Sequence, residues 1–171
     1  MASSTENVKL GVCTVLFDAI DLGFTKGGVE VQVETQTHEV TVDQTGNTPI
    51  GELITGRTVQ VTVPLAETTL ENLVKIMPGA ELITDATDPD VKKVVVTPGV
   101  NINLLSVAKK LVLRPVGTTG EDDFTVYKAA TGGALQFAYQ LENERIFNTV
   151  FKGYVDEDGN LFSVGDDTAE A

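Results

Sequence analysis

Hydrophobic and polar residues begin to alternate strictly at Gly28. Val29, Val31 and Val33 point one way and Glu30, Gln32 and Glu34 the other, the pattern of a strand with one buried face. The phase then changes, because Val40 and Val42 carry the apolar face at even positions. One extra residue swaps the two faces of a strand, so a bulge or break is expected within 36–39. A loop with Gly46-Asn47 and Pro49-Ile50-Gly51 follows, after which Val59, Val61 and Val63 alternate with Thr58, Gln60 and Thr62. The two segments suit a long antiparallel hairpin.

Downstream the period changes. Thr68-Thr69-Leu70-Glu71 fits a capping box with Thr68 as the cap, Leu70, Leu73, Val74 and Met77 recur at helical spacing, and Pro78-Gly79 stops the run. This predicts one short amphipathic helix packed on the sheet. Further strands are expected at 81–83, 92–97, 109–115, 124–129 and 133–141, separated by Pro98-Gly99, residues 117–120 and Thr131-Gly132-Gly133. In the last of them Leu135, Phe137, Tyr139 and Leu141 alternate with Gln136, Ala138, Gln140 and Glu142. A charged turn at 142–145 then leads into 146–155, a turn at 156–160 rich in Asp, Gly and Asn, and 161–166, which together read as a closing β-hairpin.

Many strands, one helix and no sustained βαβ rhythm predict a mainly β fold, a β-sandwich or partial barrel with one short packed α-helix. At 171 residues the chain reads as a single domain over 1–171, able to remove about 70% of its unfolded surface from water. Residues 1–8 are expected to be a flexible N-terminus and 165–171 an acidic, mobile tail. A lone cysteine, Cys13, cannot form an intramolecular disulfide and reads as a small apolar residue of the run 10–17. No segment has the apolar length of a signal peptide or a membrane span, so no membrane span is expected and the chain reads as made and kept in a cytoplasm.

Charge and chemistry narrow the function. Asp and Glu number 25 against 12 Lys and Arg, a formal net charge of −13, which disfavours nucleic-acid wrapping through neutralised phosphates. His38 is the only histidine, so a multi-histidine metal site is impossible. There is no nucleophile elbow, since Leu161 stands where the first glycine would precede Phe162-Ser163-Val164-Gly165, and no phosphate loop. Paired carboxylates exist in abundance, but with no Trp and three Tyr the aromatic platforms of sugar-cleaving enzymes are lacking. Asp156-x-Asp158-x-Asn160 has the opening spacing of a calcium loop, yet Leu161 takes the place of the required glycine and the flanks read as strands. No enzyme activity, cofactor or metal is expected.

The closing segment 142–166, together with Val42-Asp43-Gln44-Thr45-Gly46-Asn47-Thr48-Pro49-Ile50 and the later Thr62-Val63-Pro64-Leu65-Ala66-Glu67, resembles the major tail tube proteins of long-tailed, siphovirus-type bacteriophages. The order hairpin, helix, strands, hairpin is similar as well. The resemblance implies a virion structural protein, assembled in the host cytoplasm, whose subunits form hexameric rings. Each subunit lends long hairpin strands to one inter-subunit β-barrel, and the rings stack into a tube for genome ejection. Its partners would be further copies of itself, a tape measure protein, a tail terminator and tail tip or baseplate proteins, with double-stranded DNA passing without adhesion. Valines 29, 31, 33, 59, 61 and 63 would then face protein, leaving Glu30, Gln32, Glu34, Thr58, Gln60 and Thr62 as lumen-facing candidates, although which face lines the channel stays open. Asp43, Gln44, Asn47, Pro49 and Ile50, with Glu121, Asp122 and Asp123, are the candidates for ring stacking or inter-subunit contact, beside the acidic tail. The alternatives are the inner tube of a contractile injection system, or a monomeric or trimeric β-sandwich decorating a virion or binding a ligand.

Overall fold

The computed structural model describes residues 11–169. In chain order its elements are β1 (Cys13–Phe17), β2 (Ile20–Asp21), β3 (Glu30–Val40), β4 (Gly51–Leu65), α1 (Leu70–Ile76), β5 (Ala80–Thr84), β6 (Lys92–Val96), β7 (Lys109–Pro115), β8 (Phe124–Thr131), β9 (Phe147–Tyr154) and β10 (Phe162–Val164). The main sheet runs β2-β1-β7-β8-β9-β4-β3, with β10 also on β8, and every pairing is antiparallel. β5 and β6 form a separate hairpin.

The sheet curls over its own apolar face. Phe17 of β1 and Phe151 of β9 bring their ring centroids to 5.1 Å, although β7 and β8 lie between their strands in the sheet. Just beyond β2, the carbonyl of Phe24 accepts from Ala66 N–H at 2.8 Å and Lys26 N–H donates to the Pro64 carbonyl at 3.0 Å. The chain beside one edge thus reaches the end of β4 without closing a barrel. The result is the sandwich-like, mainly β fold expected from the alternation. Val15, Leu22, Val61, Val63, Leu65, Leu111 and Phe151 fill the enclosed space, each with at most 1% of its surface exposed.

α1 closes one end of this core with Ile76 and Leu73. Its cap is Thr69, whose hydroxyl accepts from Asn72 N–H, one residue later than the expected Thr68. The physical reason is a competitor: the Thr68 hydroxyl accepts from Arg145 Nε and Nη2 at 3.1 and 2.8 Å. The buried face also departs from expectation, since Leu70 is exposed and Asn72 is buried, donating to the carbonyls of Leu22 and Glu67 at 2.8 and 3.2 Å.

Three further expectations change. Residues 133–141 alternate like a strand but form no ladder. The closing segments β9 and β10 do not pair with each other: both lie antiparallel along the same edge of β8, Tyr154 opposite Lys128 and Phe162 opposite Val126. The turn at 156–160 is therefore an excursion from which the chain returns to the same line. Asp156 staples it, its carboxylate accepting from Asp158 N–H at 3.0 Å and Asn160 N–H at 2.7 Å. The described part of the tail is tied down, with Gly165 N–H donating to the Asp123 carbonyl at 2.8 Å and Asp167 bonded to Lys110 and Tyr127. The expected flexible residues 1–8 lie outside the described residues, as do the last two residues of the tail.

Candidate functional site

The long hairpin projects an exposed edge strand, β3, in which every residue but Val40 is exposed. β3 and β4 pair from Glu30↔Thr62 to Val40↔Gly51, but β9 accompanies β4 only from Gln60 to Leu65. The rest of the hairpin is a two-stranded arm of roughly 30 Å, at about 3.4 Å per residue, with both edges unpaired among the described residues. Its strands split sharply in burial. Val59, Val61 and Val63 are 2%, 1% and 0% exposed, whereas Val31 and Val33, on the same face of the hairpin, are 37% and 41% exposed. β3 is the edge strand and overhangs the core.

The expected irregularity is present, between Gln36 and Thr37. The extra residue, however, is Thr55 on β4, skipped as the register passes from Gln36↔Gly56 to Thr37↔Ile54. β3 runs through without a phase change, so Val40 lies on the face of Glu30. Beyond the bulge the arm carries apolar side chains into water: Ile50, Leu53 and Ile54 are 58%, 61% and 59% exposed. Its tip is a short 3-10 turn over Asp43–Thr45, where the Thr45 hydroxyl bonds the carbonyls of Val42 and Thr48. Asp43, Gln44, Asn47, Pro49 and Ile50 are all exposed there.

Glu30, Gln32, Glu34, Thr58, Gln60 and Thr62 do share one face, opposed in register as Glu30↔Thr62, Gln32↔Gln60 and Glu34↔Thr58. β9 extends that face with Lys152 opposite Gln60 and Val150 opposite Thr62. A shallow cavity of about 430 Å³ lies over it, bounded by Gln32, Glu34, Thr58, Gln60, Lys152 and Tyr154. Lys152 and Tyr154 were not among the expected site residues. The alternation Phe147, Thr149, Phe151 against Asn148, Val150, Lys152 marks which residues share a face, but only the β4–β9 register says that it is this one. Gln32 Nε2 donates to Glu34 Oε1 at 2.8 Å, and the remaining neighbour on β8, Lys128, is paired with Glu157 at 3.3 Å.

The second group of candidates is split. Asp123 is 5% exposed and takes a forked bond from Arg114, Nε to Oδ1 at 3.0 Å and Nη2 to Oδ2 at 2.6 Å, so its side chain holds the β7–β8 corner together. That bond, before the charge itself, raises the Arg114 pKa above its ordinary value. Glu121 accepts from the amide and hydroxyl of Thr119, bracing the same loop. Asp122 is half-buried. Among the described residues no group of three or more His, Cys, Asp or Glu is placed to hold a metal ion, and no helix is long and apolar enough to cross a membrane.

One cluster is invisible in the sequence pattern. The Arg145 guanidinium lies 5.6, 5.6 and 5.7 Å from the ring centroids of Phe137, Tyr139 and Phe147. Next to it Glu144 pairs with Lys26, and that bond, ahead of a backbone bond, holds its carboxyl below the usual carboxylate range. No protein-family model matches the chain, and no curated protein matches its sequence.

Proposed function

We propose that this chain is a structural subunit of a bacteriophage tail tube, one that assembles into rings, hexameric by the resemblance, which stack into a hollow conduit for double-stranded DNA. The observation that carries the reading is the β3–β4 arm. A two-stranded hairpin alone is marginal in water, and an unpaired edge is a template for another strand. An arm of this length, with Val31 and Val33 half out of water on one face and Ile50, Leu53 and Ile54 beyond, is stable and soluble only when something covers it. Copies of the same arm arranged around a ring cover each other and remove the edges at once. The opposite face, with Glu30, Gln32, Glu34, Thr58, Gln60 and Thr62, would then line the lumen and offer DNA no basic wall to adhere to. The arm tip around Asp43 to Ile50 would meet the next ring. Tape measure, terminator and tail tip proteins are the further partners of such a tube, in the virion.

Light scattering across a concentration series, followed by negative-stain microscopy, tests this. Rings or long hollow polymers are the expected products. A protein that remains monomeric or trimeric at high concentration would overturn the tube and favour a decorating or ligand-binding β-sandwich.

A further inference from the structure

Residues 133–141 carry the pattern of a strand and do not form one. Tyr139 and Leu141 are 80% and 102% exposed, while Leu135 packs against the core. The segment leaves the line of β8 at Gly133, whose φ of +72° is foreign to a strand. Its N–H is held by the Thr131 hydroxyl at 3.2 Å, and a Cβ at this position would stand 3.1 Å from both Met77 Cγ and Pro78 Cδ. At the other end Arg145 gathers Phe137, Tyr139 and Phe147 around its guanidinium while bonding Thr68 twice, and the Lys26–Glu144 pair adds a second tie to the body.

The β8–β9 register points to where the segment would go if released. The paired residues run from Lys128↔Tyr154 to Thr131↔Phe151. Continued, the same register sets Gly132 against Val150, Gly133 against Thr149 and Leu135 against Phe147, along a stretch of β9 that has β4 on one side and no strand on the other among the described residues. We propose that Gly133 and Arg145 form a latch that holds a strand-coded segment off the sheet in the free chain, and that opening it lets residues 134–138 extend β8 along β9, with the turn at 139–143, as a second hairpin at the end of the sheet opposite the β3–β4 tip. Only the consequence for assembly rests on the tube reading; the latch itself is a property of the single chain.

The contacts suit a device that must open. Each cation–π contact at a partly exposed site is weak, and the ion pair beside it is exposed on both partners, so no single bond commits the segment. A closed segment with no ladder exchanges its amide hydrogens fast, and an extended one is protected.

Hydrogen exchange on the free chain, at a concentration below any assembly, separates the two states. Arg145→Ala removes the clamp, and Gly133→Val both forbids the bent conformation and favours extension. Both are expected to slow exchange at 134–138 and at 148–150 and to lower the concentration at which assembly begins by about threefold to tenfold. Arg145→Lys, which keeps the charge but not the planar fork, falls between them and the wild type. Unchanged exchange in both Arg145→Ala and Gly133→Val overturns the latch. Slowed exchange with no assembly of any variant keeps the latch and overturns the tube. Protection of Val59–Leu65 reports whether each variant is folded; if Arg145→Ala is not, exchange in Gly133→Val and Arg145→Lys decides, and unchanged rates in both overturn the latch.

Discussion

Replacing Gly153 by alanine is expected to destabilise the fold although it adds one methyl group to a strand. Gly153 lies in β9 opposite Ala129, and its φ is outside the left-handed region, so backbone strain is not the issue. The obstacle is space. A Cβ there would stand 2.2 Å from Val59 Cγ1 and 2.9 Å from Val126 Cγ1, where carbon atoms normally rest about 3.5–4.0 Å apart. Both valines are stiff at χ1 and are 2% and 1% exposed, so neither can swing into water. Overpacking of this kind costs about 1–3 kcal/mol. Against it stands a gain of about 0.4–1 kcal/mol, because alanine loses less chain entropy on folding than glycine. The clash wins by roughly 1–2 kcal/mol, a fall in Tm of roughly 2–8 °C for a chain of this size. Urea unfolding measures it, and Val59→Ala supplies the second corner of a cycle. If the clash is the cause, the double variant is more stable than the sum of the single changes predicts by about 0.5 kcal/mol or more. An alanine variant as stable as the wild type, or strict additivity, would refute the packing argument.

Asp123→Ala leaves Arg114 facing a half-buried corner without its fork, so it is expected to lower the urea midpoint clearly more than Glu157→Ala, which breaks only the exposed pair with Lys128. Asp167 has its carboxyl held below the ordinary range, chiefly by the bond from Lys110 and against the pull of desolvation, with Tyr127 helping. Its contribution is therefore fully present above the unfolded value of about 3.9 and lost as pH falls through the lower folded value; the stability gap between wild type and Asp167→Asn is expected at pH 6 and vanishes near the acid limit. Leu53→Asp with Ile54→Asp places charge on the exposed arm beyond the core, and is expected to abolish assembly by light scattering while Tm stays within about 2 °C of the wild type.

How much of the fold is legible in the sequence depends on whether a partner has to be known. Period-two alternation located β3 and β4, because one buried face is written in the strand itself, and strand-type runs between turn signals located β6 and β7, the latter with both its ends. The cap of α1 was misplaced by one residue because Thr68 and Thr69 are equal candidates locally, and the choice between them is made by Arg145, 77 positions away in sequence. Residues 133–141 misled for the complementary reason: alternation says what a segment can do once paired, and Gly133 and Arg145 withhold the pairing. The closing hairpin failed in the same way. A turn rich in Asp and Gly implies a change of direction, but whether the chain comes back beside itself or returns to β8 depends on which edge is free. For the candidate face, the six residues on β3 and β4 were readable as a set, whereas Lys152 and Tyr154 join them only through a register between strands far apart in sequence.

On the tube reading proposed above, Lys152 changes the electrostatics expected of the lumen. The net charge of −13 invites the idea of a strongly negative lumen, yet the face shared by β3, β4 and β9 carries Glu30 and Glu34 against Lys152, two carboxylates and one ammonium, with Lys128 balanced by Glu157. Most of the acidic excess therefore lies elsewhere, and at a screening length of about 8 Å it has little influence on a duplex in the channel. In a tube, such a face would have to withhold a basic track, and a margin of one charge per chain would achieve that only narrowly. Glu30→Lys with Glu34→Lys converts the face to three ammonium groups per chain. If these residues line the lumen, tubes of the double variant are expected to retain double-stranded DNA at about 50 mM salt and release it by about 200 mM, with the steep salt dependence of counterion release, while wild-type tubes retain none. Lys152→Glu moves the face the other way and is expected to leave retention at zero. Double-variant tubes that form normally but hold no DNA at low salt would place these residues away from the lumen and put the opposite, valine-bearing face in question instead.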